Sequence, residues 1–387
     1  MMLLSGATVA TGVPGEAAQA ATIRVAGGRF ESVESVEPLD SGEPAAGEPG
    51  ADAVDLTGMI VLPGFVDQHC HGGGGGDFFA ADRQQALTAA RTHLDRGTTS
   101  VIASLVTATE ADLRAQITCL SPLVDDGTLA GIHLEGPWIS THQCGAHDKS
   151  LLRLPDLVEV AGLLEHAGGR IRMVTIAPEL PGGLDAIGYL AQHGAVAAIG
   201  HTDCDYGLAR RAIDAGATAA THLLNRMRPL DKRHPGPVLA LVEDPRVTVE
   251  LIADGVHLHP SIVRFFAETS GWSRTAVVTD AMGAAGGPDG DYLIGQLEVV
   301  VADGVARLAQ GGALAGSTLT MDRALRVLVH RCGLELAEAA QVLCSSPAHA
   351  MGLADVGAIA PGRRADLVVL DQDLLVRRVM RAGEWVE

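Results

Sequence analysis

Apolar residues recur along this chain in short strand-like runs, near residues 60–66, 99–106, 130–134, 171–176, 195–199, 217–221, 247–252 and 275–279. Between most of them lie stretches of helical character, at 83–95, 110–123, 157–167, 184–192, 206–215, 238–243 and 261–269. Two more, 321–332 and 336–343, follow the last run. Eight strands alternating with helices over about 290 residues predict an α/β fold of the (β/α)8 TIM-barrel type. A doubly wound sheet is the competing architecture, disfavoured because polar residues follow so many different strands.

The two ends carry a different pattern. Residues 2–4, 7–9, 21–25 and 29–36 read as short β segments, with Gly27-Gly28 as a hairpin turn. The stretch 40–50 is acidic and rich in Pro and Gly, and reads as a flexible surface loop. Residues 356–371 are β-like again. The expected organisation is a small β-sandwich domain built from residues 1–58 and 355–387, beside a metal-dependent catalytic barrel of residues 59–354.

Composition narrows the picture. The chain has 387 residues, 47% hydrophobic but only 3% aromatic, with 47 glycines, so its core must be largely aliphatic. Its net charge of −19 argues against a nucleic-acid or anionic-membrane partner, and any anionic substrate needs a local basic pocket. The stretch Met1 to Val9 does not read as a signal segment, and no apolar run of about 18 residues is present. The six cysteines lack Cys-x-x-Cys spacing and read as free thiols of a cytoplasmic protein.

The candidate chemistry follows the strands. The first run ends in His69-Cys70-His71, two imidazoles on one face of a strand, as a zinc-type ion would take them. Later runs deliver Glu135, His201, His222 and Asp280. In a barrel these strand ends share one face, where active sites sit. Each residue also has a plainer reading: Glu135 as a strand-end cap, His201 and His222 as core histidines, Asp280 as a helix N-cap. His133 reads as a satisfied barrel histidine, Gly72 to Gly76 as a mobile loop, and Asp203, Asp205, His93, His166 and His193 as structural. Convergence of six such groups from five strands favours the metal.

The segments LPGFVDQHCHG, HLEGPWIS, GAHD, IGHTD, THLLNRM, ADGVHLHP, VTDAMG and LAGSTLTMDRAL, with SSPAHAMGL and GAIAPGRRADLVVLD, span residues 62–371. Together they resemble the amidohydrolase superfamily and, within it, the N-acetylglucosamine-6-phosphate deacetylase family. The resemblance implies metal-dependent hydrolysis of N-acetylglucosamine 6-phosphate to glucosamine 6-phosphate and acetate, in amino-sugar catabolism or recycling. It implies that Glu135, His201 and His222 bind the main divalent metal, with Asp280 also a candidate ligand; some family members lack the second histidine of the first motif, and this chain keeps both His69 and His71, which makes room for a second metal. Asp280 would be the general acid/base and His257 the oxyanion partner. Ala146, His147, Asn225, Arg226, Arg233, His257, Leu314, Ala315 and Gly316 would hold the substrate. Zinc is the first expectation, with iron, cobalt, manganese or cadmium as alternatives, one or two ions per subunit of a homodimer. The chain departs from the family in Arg226, where a small residue is usual. Arg233, His147 and Arg226 are the candidate phosphate cations, although the polar 231–235 stretch also reads as solvated loop. Residues 140–145 read as a lid with an exposed Cys144. The alternative activity is another amidohydrolase, acting on N-acetylgalactosamine 6-phosphate, N-acyl amino acids or cyclic amides. A non-catalytic barrel serving as an assembly subunit would lack ligands, and none is missing here.

Overall fold

The computed structural model describes residues 1–35 and 52–387; the loop expected at 40–50 lies outside them. Eight parallel strands form the barrel: β1 (Phe65–Cys70), β2 (Thr98–Leu105), β3 (Gly131–Glu135), β4 (Ile171–Ile176), β5 (Val196–Ile199), β6 (Ala217–Ala220), β7 (Thr248–Ile252) and β8 (Thr275–Val278). They pair in sequence order, as the alternating pattern predicts. The ring closes between the two end strands. Asp280 N–H donates to His69 O at 2.9 Å and His71 N–H to Ala281 O at 2.8 Å. The Thr279 hydroxyl donates to the buried Asp67 carboxylate at 2.5 Å. The seam of the barrel is therefore built from the neighbours of His69, His71 and Asp280.

The surrounding helices are α1 (Arg83–Leu94), α2 (Glu110–Asp125), α3 (Leu157–Ala167), α4 (Gly183–Gln192), α5 (Tyr206–Ala215), α6 (Gly236–Glu243), α7 (Pro260–Ser270) and α8 (Met321–His330). Their starts are set locally. Asp82, Thr109, Asp156 and Asp205 each accept a backbone N–H of the first turn of α1, α2, α3 and α5. Such caps contribute about 1 kcal/mol each. Asp205 thus has the structural role its sequence context suggested.

Side chains inside the barrel change character along its axis. Ile102, Met173, Ala198 and Ala219 pack with Met351 into an apolar floor. Two residues further along three of these strands stand Ser104, Thr175 and Thr221, on the same face because strand side chains alternate. There, His133 bonds Ser104 Oγ at 2.9 Å and Thr175 Oγ1 at 2.8 Å, and Thr175 meets Thr221 at 2.8 Å. His133 is a satisfied barrel histidine, and this polar layer lies beneath the strand ends.

Both chain ends join one eight-stranded sheet with its own apolar cluster, Leu4, Ile23, Phe30, Val61, Leu367 and Met380 among its members. An antiparallel bridge from Arg29 to Arg364 brings an edge strand back to the segment entering Leu367–Leu370, so the sheet curls on itself. The run at 60–66 proves to be two strands. Ile60–Pro63 pairs with Leu367–Leu370 in this end sheet, Gly64 turns the chain, and Phe65 starts β1. A further three-stranded meander, Gly290–Ile294, Leu297–Ala302 and Val305–Leu308, stands between β8 and α8. Its β-branched run Val299-Val300-Val301 and its Asp303-Gly304 turn, whose two residues are at positive φ, are strand and hairpin signals that the count of eight strands passes over.

Gly64 has no room for a side chain: a Cβ there falls 2.1 Å from Thr99 Oγ1 and 2.5 Å from Thr99 Cγ2, both buried. Gly64→Ala should lower the unfolding free energy by about 1–3 kcal/mol through overpacking. Adding Thr99→Ala should recover most of it. Urea unfolding of the single and double variants checks this; an unchanged midpoint for the single variant would refute it.

Candidate metal centre

The polar groups that the sequence placed at strand ends do meet. Glu135 closes β3, and four imidazoles aim at its carboxylate. Oε1 lies 3.0 Å from His201 Nε2, 3.0 Å from His222 Nε2 and 3.5 Å from His69 Nε2. Oε2 lies 3.1 Å from His71 Nε2. Asp280 Oδ1 completes the group, 3.2 Å from His71 Nε2 and 3.4 Å from His69 Nε2. All six residues are buried.

Outer hydrogen bonds fix the tautomers. His69 Nδ1 faces Glu250 Oε2 at 3.1 Å, His71 Nδ1 faces Ser104 O at 3.1 Å, and His201 Nδ1 faces Gln143 O at 2.8 Å. Each partner is an acceptor, so each Nδ1 carries the proton and each Nε2 presents a lone pair. Yet the Nε2 atoms of His69 and His71 lie within 3.2 Å of each other, and His201 Nε2 lies 3.0 Å from that of His222, whose Nδ1 has no partner among the described residues. Lone pairs so placed repel unless a proton or a cation lies between them. An N/O donor set of this kind suits a zinc-type divalent ion, and the residues present fit one.

The field says the same. Burial opposes charge on His71, but the Asp280 and Glu135 carboxylates outweigh it and push its pKa up to about 9. His69 is likewise buried, and Glu135, Asp280 and Glu250 hold it well above the ordinary histidine value. Burial works against the carboxylate of Glu135 too, yet His69 and His201 keep it well below the usual range. A bound cation would take over the balancing charge from the protons on His69 and His71.

His147 is different. Its Nδ1 accepts the Thr107 N–H at 3.3 Å, so the proton sits on Nε2 and points at Glu135 Oε2, 3.3 Å away. It donates at the site where the others offer lone pairs.

The backbone at this centre is strained. Of the nine non-glycine residues at positive φ among the described residues, five are His201, His222, Leu224, Arg226 and Asp280. Each such conformation costs on the order of 1–3 kcal/mol and persists only where surroundings enforce it. Hydrogen bonds from Ser140 N–H to His201 O (2.9 Å) and Ser317 N–H to Asp280 O (2.7 Å) are part of that enforcement.

Above the centre opens a cavity of about 290 Å³. His71, Glu135, His201, His222 and Asp280 line its metal end, with Ala146, His147, Asn225, Arg226, His257, Leu314 and Gly316 around the rest. His69 lies beneath, fully buried, and Ala315 is buried behind Leu314 and Gly316. Arg233 is not brought in. It is exposed on a turn where Asp231 accepts its backbone N–H at 2.8 Å. Cys144, expected exposed, is buried and does not line the cavity. The 140–145 segment, expected as a lid, is tied to His201 through Ser140 N–H and Gln143 O. Gly72 to Gly76, expected as a mobile loop, form a tight hairpin whose amides donate to Ala281, Ala285 and Gly283.

Three contributors escaped the sequence reading. Gln143 O fixes His201. Asp254 accepts His257 Nδ1–H at 2.7 Å. Glu250 accepts from His69. The last had a signal: a carboxylate inside the apolar run Val249–Ile252.

The Amidohydrolase family profile matches residues 60–386. A solved structure of a variant N-acetyl-D-glucosamine-6-phosphate deacetylase from Mycobacterium smegmatis, in complex with N-acetyl-D-glucosamine-6-phosphate, is 48% identical. It superposes with a TM-score of 0.93 over 99% of this chain and 98% of its own. The N-acetylglucosamine-6-phosphate deacetylase of Vibrio furnissii is 34% identical over 88% of this chain and 86% of its own. The N-acetylgalactosamine-6-phosphate deacetylase of Escherichia coli O157:H7 is 36% identical over 84% and 87%.

Because the Asp280 and Glu135 carboxylates push the His71 pKa up to about 9 against the effect of burial, metal uptake at neutral pH should release protons and tighten as pH rises toward 9. Calorimetric zinc titrations in buffers of different ionisation enthalpy check this. Buffer-independent heats and a pH-independent affinity would contradict it.

Proposed function

The chain belongs to the amidohydrolase family, and from that premise we propose that it hydrolyses the N-acetyl amide of N-acetylglucosamine 6-phosphate, giving glucosamine 6-phosphate and acetate. One observation carries the reading: a convergent His/Glu/Asp centre shares its cavity with the guanidinium of Arg226. That group is half-buried and has no hydrogen-bond or ion-pair partner among the described residues. In a chain of net charge −19, an unpaired cation on a cavity wall is a place for an anionic substrate group. N-acetylgalactosamine 6-phosphate is the second reading, supported by the Escherichia coli relative.

Glu135, His201 and His222 would hold the principal divalent ion, with His69, His71 and Asp280 placed for a second; zinc is the first expectation. Such an ion supplies Lewis acidity at the acetamide carbonyl and lowers the pKa of water from about 16 toward 7. Asp280 accepts the proton of the attacking water. Its carboxyl is buried, yet His69 and His71 hold it well below the usual carboxylate range, so it stays ionised and ready. The same group then delivers the proton to the departing nitrogen. His257 borders the cavity as the oxyanion partner. Burial opposes its charge, but the hydrogen bond and charge of Asp254 push its pKa above the ordinary value, leaving an Nε2–H to donate. His147 brings a second fixed N–H to the cavity.

Arg226 is the phosphate clamp within the cavity, beside Asn225. Arg233 would reach a phosphate only by movement of the 231–234 turn or from the second copy of a homodimer. A dimer in the cytoplasm is the expected working form. Among the described residues no helix is long and apolar enough to cross a membrane.

Acetate release from zinc-loaded protein tests the reading. N-acetylglucosamine 6-phosphate should exceed unphosphorylated N-acetylglucosamine by orders of magnitude in kcat/KM. Arg226→Ala should cut the phosphorylated rate about 10- to 100-fold, as expected for a lost charge-assisted hydrogen bond, and barely change the other. Equal loss on both sugars would remove Arg226 from the phosphate site. No release from either, with metal bound, would end the substrate assignment.

A further inference from the structure

We propose that Glu250 is a positioning residue that holds the two halves of the ligand set, His69 from β1 and His222 after β6, in one fixed arrangement, that its negative charge strengthens His69 as a donor, and that the two effects together set the affinity for the cation. The proposal rests on the metal reading above. Glu250 stands in the middle of β7 and is completely buried. A carboxylate there is strongly disfavoured unless it is fully hydrogen-bonded. No Lys or Arg pairs with it among the described residues; its partners belong to the metal centre instead.

Every acceptor on this residue is used. Oε1 accepts from Gln68 Nε2 at 2.8 Å. Oε2 accepts the His69 Nδ1–H and the His222 backbone N–H, each at 3.1 Å. The Glu250 carbonyl accepts the Leu223 N–H at 2.8 Å. Two consecutive amides are thus held to one residue at the point where His222 adopts φ +29°. His222 Nδ1 has no partner of its own among the described residues. Its ring is aimed through the backbone, and the backbone is aimed by Glu250. On the other side of the centre, the same carboxylate oxygen selects the tautomer of His69. Glu250 does not line the cavity. It acts through the two histidines and touches no substrate.

The arrangement also supplies its own test. Gln68 Oε1 is buried without a partner. In Glu250→Gln, the new amide oxygen can keep His69 and His222, while its NH2 meets Gln68 once the Gln68 amide turns over. The hydrogen bonds survive and only the charge is lost. Glu250→Leu removes both.

The experiment is zinc binding to metal-stripped protein by competition with a chromophoric chelator, with the cobalt(II) absorption spectrum and steady-state kinetics alongside. Glu250→Gln should weaken zinc about 10- to 100-fold, the usual cost of losing an outer partner of a metal-bound histidine. It should leave KM for the sugar phosphate unchanged and recover kcat at saturating zinc. Where Glu250→Leu folds, it should lose more affinity and shift the cobalt spectrum. Unchanged zinc affinity in Glu250→Gln, or a loss of thermal stability in the metal-free protein with no change in zinc affinity, would overturn the proposal while leaving the metal reading intact. Failure of the parent protein to bind zinc or cobalt would overturn both.

Discussion

Two pairs of imidazole nitrogens face each other at hydrogen-bond distance beside one buried carboxylate, and the rest of the site depends on this conflict. Glu135 alone cannot resolve it, because its carboxylate offers only acceptor oxygens and His69, His71 and His201 each hold a proton on the far nitrogen. A divalent cation resolves all the contacts at once. Around the centre, the acceptors Glu250, Ser104 O and Gln143 O each hold a proton on the far side of a ring. Those outer contacts draw on β7, β2 and the segment after β3, so the geometry of the site is a property of the whole barrel.

The barrel places this conflict where it can be tolerated. Its floor is apolar and close-packed, its middle layer a closed hydroxyl–imidazole network, and its top the charged centre. The seam between β1 and β8 is joined by bonds involving His69, His71 and Asp280 themselves. Strain at five cavity residues is thereby borne by a framework that closes beside them. Local stability has been exchanged for fixed direction of the reacting groups, as expected where preorganisation carries the chemistry.

Much of this was legible in the sequence. Eight apolar runs are visible because parallel barrel strands are buried on both faces. The residues of the convergent centre are visible because each stands where such a run stops. What escaped did so for physical reasons. Gly64 divides one run between two sheets, and only the proximity of Thr99 shows why. Glu250 hides inside an apolar strand because its partners come from β1 and β6, distant in sequence. Arg233 looked like a cavity cation by motif alone, whereas the fold leaves it exposed and turns Arg226 inward. Cys144 sits in a polar stretch, yet the anchoring of that stretch to His201 buries it.

Anomalous diffraction at the zinc absorption edge, from crystals of zinc-loaded protein, tests the central claim most directly. The account predicts a peak within coordination distance of the Glu135 carboxylate and the Nε2 atoms of His201 and His222. A fully loaded, well-ordered crystal with no anomalous peak there, and protons shared between the imidazoles instead, would contradict it.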